Sequence, residues 1–315
     1  MPFSMDTKSP AAIKRLRAPH QERLDLMTRR RFALVALTLL VGAAALLCGA
    51  GEILSRPASR PVGPPPVDFS AQTVRIPTTP GQFVVGWFAP GQATRGVVLL
   101  LHGVRADRTQ MLGRARSLSR LGYAVLLIDL PAHGESTGER ITFGAKEAAG
   151  VTAAVAFLRG KLPGERLGII GVSLGAASTV LAKLRPTPNA VVLESMYPTI
   201  EEAVAGRLTM RLGSAGASLA PILLWQLPLR TGMSSEDLRP IQHLKDLGAP
   251  VLVTSGAEDR HTTWAETQRV FQSARQPKEL WRVDGAAHVD LHAFQPNEYE
   301  RRVFGFLAKY LRNEA

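Results

Sequence analysis

The 315-residue sequence contains a single cysteine, Cys48, so an intramolecular disulfide is excluded and the fold must hold by its apolar core. It has no cluster of Cys and His at metal-ligand spacing, because the seven histidines are dispersed and Cys48 stands far from all of them; no zinc or other metal is expected. No internal repeat is visible, and there is no dense basic block. The formal net charge of +12 is spread thinly: residues 1–55 carry eight Lys/Arg against four Asp/Glu, and residues 56–315 carry thirty against twenty-two. A stripe that tracks phosphates would be concentrated on one segment, so no nucleic-acid partner is expected. What remains, 45% hydrophobic and 20% charged residues, suits one large globular domain with accessory segments.

The accessory segment is N-terminal. From Phe32 to Gly51 runs a stretch of twenty residues without charge, rich in Ala, Leu and Val. As a helix rising about 1.5 Å per residue it covers about 30 Å, one bilayer core. Arg29, Arg30 and Arg31 stand directly before it, and Lys8, Lys14, Arg15, Arg17 and Arg23 lie further upstream, whereas only Arg56 and Arg60 follow closely. That bias places residues 1–31 in the cytoplasm as a basic segment, residues 32–54 across the membrane, and the remainder on the extracytoplasmic side. The run Thr28-Arg29-Arg30-Arg31-Phe32-Ala33-Leu34 resembles a twin-arginine export signal, and a cleaved secretory signal is the alternative to a retained anchor. Cys48 invites a lipidated reading, but Leu47 is larger than the small residue expected before a lipidated cysteine. Residues 55–67 hold Pro57, Pro61, Pro64, Pro65 and Pro66 and are expected to form a semi-extended tether that keeps the following domain off the bilayer.

From about Asp68 to the end, strand-like runs alternate with helical patterns, as in an α/β domain with a mostly parallel sheet. Strands are expected at Phe83 to Phe88, Gly96 to Leu101, Tyr123 to Leu130, Leu167 to Val172, Ala190 to Glu194, Pro250 to Ser255 and Leu280 to Val283. Their Val/Ile/Leu runs are continuous, which fits strands covered on both faces. Helices are expected at Arg108 to Leu121, Phe143 to Leu162, Leu174 to Leu184, Trp264 to Ala274 and Glu298 to Leu311. Residues 199–247 break the alternation. They contain no convincing strand and read as a helical insertion, a lid.

The sharpest chemical signal is Gly171-Val172-Ser173-Leu174-Gly175 at a strand-to-helix junction, where small neighbours permit a strained serine and the helix N-terminus favours developing negative charge. A serine hydroxyl is a poor nucleophile at neutral pH, so a base is needed, and a carboxylate must hold that base in one tautomer. Asp259, in Gly256-Ala257-Glu258-Asp259, and His288, in Gly285-Ala286-Ala287-His288, each follow an expected strand and give the chain order Ser, acid, His. Glu258 is the rival acid; His261 is placed at the rim and His292 in the next turn. Leu101-His102-Gly103-Val104 ends another strand, and the backbone N–H groups of Val104 and Leu174 are the expected oxyanion-hole donors. The loop Asp129-Leu130-Pro131-Ala132-His133-Gly134-Glu135-Ser136 is expected to shape the site beside them.

Together these residues resemble the α/β-hydrolase superfamily, and within it the serine aminopeptidase-like and monoacylglycerol-lipase-like group, which shares the His-Gly turn, the Asp-x-x-x-His-Gly-x-Ser loop and the Gly-x-Ser-x-Gly elbow. The resemblance covers roughly residues 72–312. It implies an α/β-hydrolase fold with a sheet of about eight strands, a cap inserted before the acid strand, and hydrolysis through an acyl-enzyme with no cofactor. It does not fix the substrate. The apolar stretch Leu219 to Leu229, with Trp225, favours a small-molecule acyl substrate and ester over peptide hydrolysis. Acyl transfer, peptide or amide cleavage, and a noncatalytic membrane-tethered binding module of the same fold are the alternatives. The oligomeric state is not legible.

Overall fold

The computed structural model describes residues 10–312, so the start of the expected basic segment, Lys8 included, lies outside the described residues. The chain divides into two compact units that meet at Ala50 and Gly51. The first is helical. Helix α1 (Pro10–Ser55) extends well upstream of the expected apolar run. No proline stands between His20 and Arg56, and the helix stops directly before Arg56-Pro57, where the proline ring disfavours helical geometry in the residue before it. Between Arg23 and Ser55 its mean hydropathy reaches 2.4 over an 18-residue window with none of that window buried, so it is long and apolar enough to cross a membrane.

The second unit is built on an eight-stranded sheet. Its strands are β1 (Gln72–Pro77), β2 (Phe83–Ala89), β3 (Val97–Leu101), β4 (Ala124–Ile128), β5 (Leu167–Val172), β6 (Ala190–Glu194), β7 (Val251–Gly256) and β8 (Lys278–Val283). The spatial order is β8-β7-β6-β5-β3-β4-β2-β1; β3 to β8 are parallel, and β2 runs antiparallel to both of its neighbours, β4 and β1. Strand β1 is absent from the sequence reading. It is an edge strand whose Gln72, Thr73 and Arg75 face solvent, so only Val74 and Ile76 turn inward and the apolar signal is thin.

Alternate residues of the central strands feed two cores. Val98, Leu100, Val125, Leu127 and Ile170 pack with Leu118 of α2 (Leu112–Arg120) and with Leu307 and Leu311 of the C-terminal helix (Gly305–Leu311). Val97, Leu99, Leu101, Leu126 and Ile169 pack with Val151, Ala154 and Leu158 of α3 (Glu147–Lys161) and with Leu174 of α4 (Leu174–Leu181). This two-sided burial is why the strands read as continuous apolar runs. Between β6 and β7 the chain forms α5 (Ile200–Leu212), a 3-10 turn (Ser214–Leu219), α6 (Ala220–Leu224), α7 (Leu227–Thr231) and two further 3-10 turns, with no strand among them. This is the helical cap.

The proline-rich segment differs from the free tether its composition suggests. Ala58 and Ser59 pair in parallel with His133 and Gly134. The backbone N–H groups of Val62 and Gly63 donate to Glu135 Oε1 at 3.1 and 3.0 Å, and the Gly63 carbonyl accepts from Trp87 Nε1 and Arg108 Nη2. Phe69 is buried in the core. The prolines do make the segment extended; but extended backbone keeps its carbonyls and remaining N–H groups free to pair, and the loop after β4 supplies partners.

Candidate active site

Ser173 sits between β5 and α4 with φ +50° and ψ −106°, a conformation that a non-glycine residue adopts only when its surroundings fix it. Two of those surroundings are glycines. A Cβ at Gly171 would lie 2.6 Å from the backbone of Gly175 and Ala176, and one at Gly175 would lie 2.6 Å from the Leu101 carbonyl oxygen. The flanking glycines are therefore a packing requirement, because β5, α4 and β3 approach backbone to backbone. The Ser173 N–H donates to the Glu194 carbonyl at the end of β6, 2.8 Å away, and the side chain is 3% exposed.

The His102-Gly103 turn lies against the serine: a Cβ at Gly103 would stand 3.8 Å from Ser173 Cβ. The Gly103 N–H is committed to Gln110 Oε1 at 2.7 Å, so Val104 supplies the next N–H after it in the turn, while Leu174 begins α4. His102 is buried and neutral. Its Nδ1 donates to the Gly103 carbonyl at 2.7 Å and its Nε2 accepts the Leu130 N–H at 2.9 Å, while burial and the neighbouring His133 push its pKa down to about 3. His133 is likewise buried, its pKa pushed down to about 4, and its ring meets that of His102 edge-on at 5.1 Å. Both histidines shape the loops, and neither is poised as a base. Arg105, next in the turn, adopts φ +58° and aims its Nη2 at the carbonyls of Ile53, Leu54 and Arg56.

Asp259 follows β7 and His288 follows β8, adjacent parallel strands, and His288 Nδ1 lies 2.7 Å from Asp259 Oδ2. Asp259 Oδ1 accepts the backbone N–H groups of His261 and Thr262 at 2.8 and 2.9 Å. Burial pushes the Asp259 carboxyl up, but the His288 hydrogen bond and charge, with those two N–H groups, outweigh it and hold the pKa below the ordinary aspartate value. Glu258 is exposed and does not take this place. His261 lies at the rim, its ring 4.9 Å from that of His288. His292 is elsewhere, its Nε2 3.1 Å from Glu300.

Two features were not legible in the sequence. Beneath the elbow, the Glu194 carboxylate receives Arg114 Nη2 at 2.7 Å and the Tyr299 hydroxyl, all buried. Arg114 Nη1 also lies 2.7 Å from Asp290, though not along an N–H direction, so this is an ionic contact more than an aligned hydrogen bond. The acidic residue closing an otherwise apolar strand was the available signal. Above the site, Arg207 of α5 donates to the Ala203 carbonyl at 2.9 Å, and its charge is felt by Asp259 and His261. Nothing in a helical pattern marks that arginine out.

The model of the alpha/beta hydrolase family matches residues 98–302, which take in the elbow, both loops and the Asp259–His288 pair. The chain belongs to that family. This α/β hydrolase is 25% identical over 236 residues to the uncharacterized protein YqkD of Bacillus subtilis, a match covering 74% of this chain and 77% of that one. It is 29% identical over 225 residues to the uncharacterized protein Rv2307c of Mycobacterium tuberculosis, covering 70% and 73%. Among solved structures it is similar to the Pyrococcus furiosus esterase Pf2001, with a TM-score of 0.63 and 25% identity over 80% of this chain and 99% of that one.

Proposed function

We propose that this α/β hydrolase is a serine esterase that works through an acyl-enzyme on Ser173. Ser173 Oγ attacks the ester carbonyl carbon while His288 Nε2 takes its proton and then delivers it to the departing alcohol oxygen. Asp259 holds His288 in the tautomer with Nδ1 protonated and stabilises the imidazolium that forms. The N–H groups of Val104 and Leu174 receive the oxyanion. In the second half, His288 deprotonates a water, which attacks the acyl carbon and releases the acid with Ser173 restored.

The observation that carries this reading is the 2.7 Å Asp259–His288 pair at the ends of adjacent strands, in a chain whose serine elbow is held strained by close-packed glycines. An ester substrate is favoured over a peptide by the apolar cap and by the likeness to a protein named as an esterase. The apolar part of α1 is proposed to span a membrane, with the arginine bias placing the catalytic unit on the extracytoplasmic side. The cap would then act as a lid over an acyl substrate.

Turnover of nitrophenyl esters of graded acyl length by the full-length protein in detergent tests the reaction class. The expected result is measurable hydrolysis that Ser173→Ala and His288→Ala each lower by about a millionfold, to the limit of detection. Hydrolysis that survives Ser173→Ala would place the chemistry elsewhere.

A further inference from the structure

The cap is apolar on two opposite sides. Inward, Ala220 and Leu227 are buried, and Leu224 packs with Ile200, Leu227 and Leu238 in a small core of its own. Outward, Leu219 (40% exposed), Ile222 (49%), Trp225 (75%) and Leu229 (76%) follow one another at helical spacing, and Met210 and Leu212 at the end of α5 add 40% and 57% exposed side chains. A helical segment apolar all round has a nonaqueous medium on each side. One medium is the domain core. The other is not supplied by the rest of the second unit.

The charge of the same segment says what that medium is. Between Glu202 and Glu236 there is no acidic residue; of the three arginines there, Arg211 is exposed, Arg207 turns toward Asp259 and Arg230 pairs with Glu52. An apolar stripe with an exposed tryptophan and an exposed arginine, carrying no acidic residue of its own, has the composition of an interfacial element on an anionic bilayer. The cap is also fastened to the end of α1. Glu52 takes Arg140 Nη1 at 2.9 Å and Arg230 Nη1 at 2.7 Å, and a Cβ at Gly51 would collide with the side chains of Gln226 and Arg230. A membrane span that finishes near Gly51 leaves residues 51–55 at the lipid–water boundary, and those residues grip α7, the helix that carries Leu229.

We propose that the outward face of the cap, Leu219, Ile222, Trp225 and Leu229, is a second membrane-docking surface that dips into an anionic phospholipid interface. The proposal rests on reading α1 as a span, and goes beyond the esterase reading by assigning the cap a lipid-facing surface. Its consequence is that ester substrates dissolved in the bilayer reach the site without crossing water.

The test uses full-length protein reconstituted in vesicles of phosphatidylcholine and phosphatidylglycerol, in which the phosphatidylcholine carries bromine near the headgroup end of its acyl chains. Bromine quenches only nearby tryptophans; of the other three, Trp87 and Trp281 are buried and Trp264 is half-buried outside the cap. Fluorescence is expected to fall in the parent protein and to be largely preserved in Trp225→Phe; adding Leu229→Trp to that variant should restore the loss. Equal quenching with and without Trp225, or none in either protein, overturns the proposal, including the case in which a second copy of the chain covers the face. A second arm compares Trp225→Ser/Leu229→Ser with parent on a long-chain ester held in the vesicles and on a water-soluble short-chain ester. Roughly tenfold loss on the first alone is expected, whereas equal rates on both substrates count against docking. If the parent hydrolyses neither ester, the esterase reading fails, while quenching still decides whether the cap docks.

Discussion

Arg114 Nη2 reaches the Glu194 carboxylate at 2.7 Å, both side chains 1% exposed, and the backbone carbonyl of the same Glu194 receives the Ser173 N–H. The same guanidinium contacts Asp290, two residues after His288, so one buried cation joins the strand end beside Ser173 to the loop that carries His288.

Arg114→Met should therefore be severely destabilising. It leaves the Glu194 carboxylate buried with only the Tyr299 hydroxyl for company, and breaking one side of a buried pair costs about 3–5 kcal/mol. Denaturant unfolding in detergent measures it. Glu194→Gln with Arg114→Met, which removes both charges, should recover a large part of the loss.

Asp259→Asn should keep the fold near neutral pH but lower turnover by about ten-thousandfold, because the amide favours the wrong imidazole tautomer. The pH dependence of stability has a definite sign. The folded Asp259 carboxyl titrates below the unfolded value of about 3.9, so its contribution is complete above that pH and is lost as pH falls through the folded value. The stability gap between parent and variant should thus close on acidification. A gap that widened in acid would mean that burial, not His288, dominates Asp259.

Arg105 is placed to act on the rate through its neighbour. It follows Val104 and anchors the turn to the carbonyls that end α1, and Arg60 adds a contact to the Arg105 carbonyl at 3.3 Å and to Asp107 at 2.6 Å. Arg105→Ala should lower kcat roughly ten- to hundredfold with KM little changed, since a misplaced oxyanion donor weakens transition-state stabilisation without touching ground-state binding. Arg105→Lys should recover part of the rate. A rise in KM at constant kcat would make Arg105 a substrate contact instead.

The inner parallel strands were legible because each is buried on both faces and so reads as an unbroken apolar run of about the right length, whereas the edge strand at Lys278–Val283 was legible only over its last four residues. The exposed edge strand at Gln72–Pro77 was not, since four of its six residues face water. The elbow and the Asp259–His288 pair were legible from small residues at strand ends, where steric demand leaves little choice of sequence. The docked course of residues 56–69 was hidden for the opposite reason. Its prolines dictate extended backbone but say nothing about partners, and the partner is Glu135, more than seventy residues away. Likewise the Arg114–Glu194 pair joins positions eighty residues apart that local pattern cannot connect.

The central claim is that Ser173 is an activated nucleophile, and covalent labelling of the full-length protein with a fluorophosphonate, located by peptide mass spectrometry, tests it most directly. One adduct per chain on Ser173 is predicted, absent in Ser173→Ala and formed far more slowly in His288→Ala. Folded protein that takes up no probe, or that carries the adduct on another residue when Ser173 is replaced, would contradict the account.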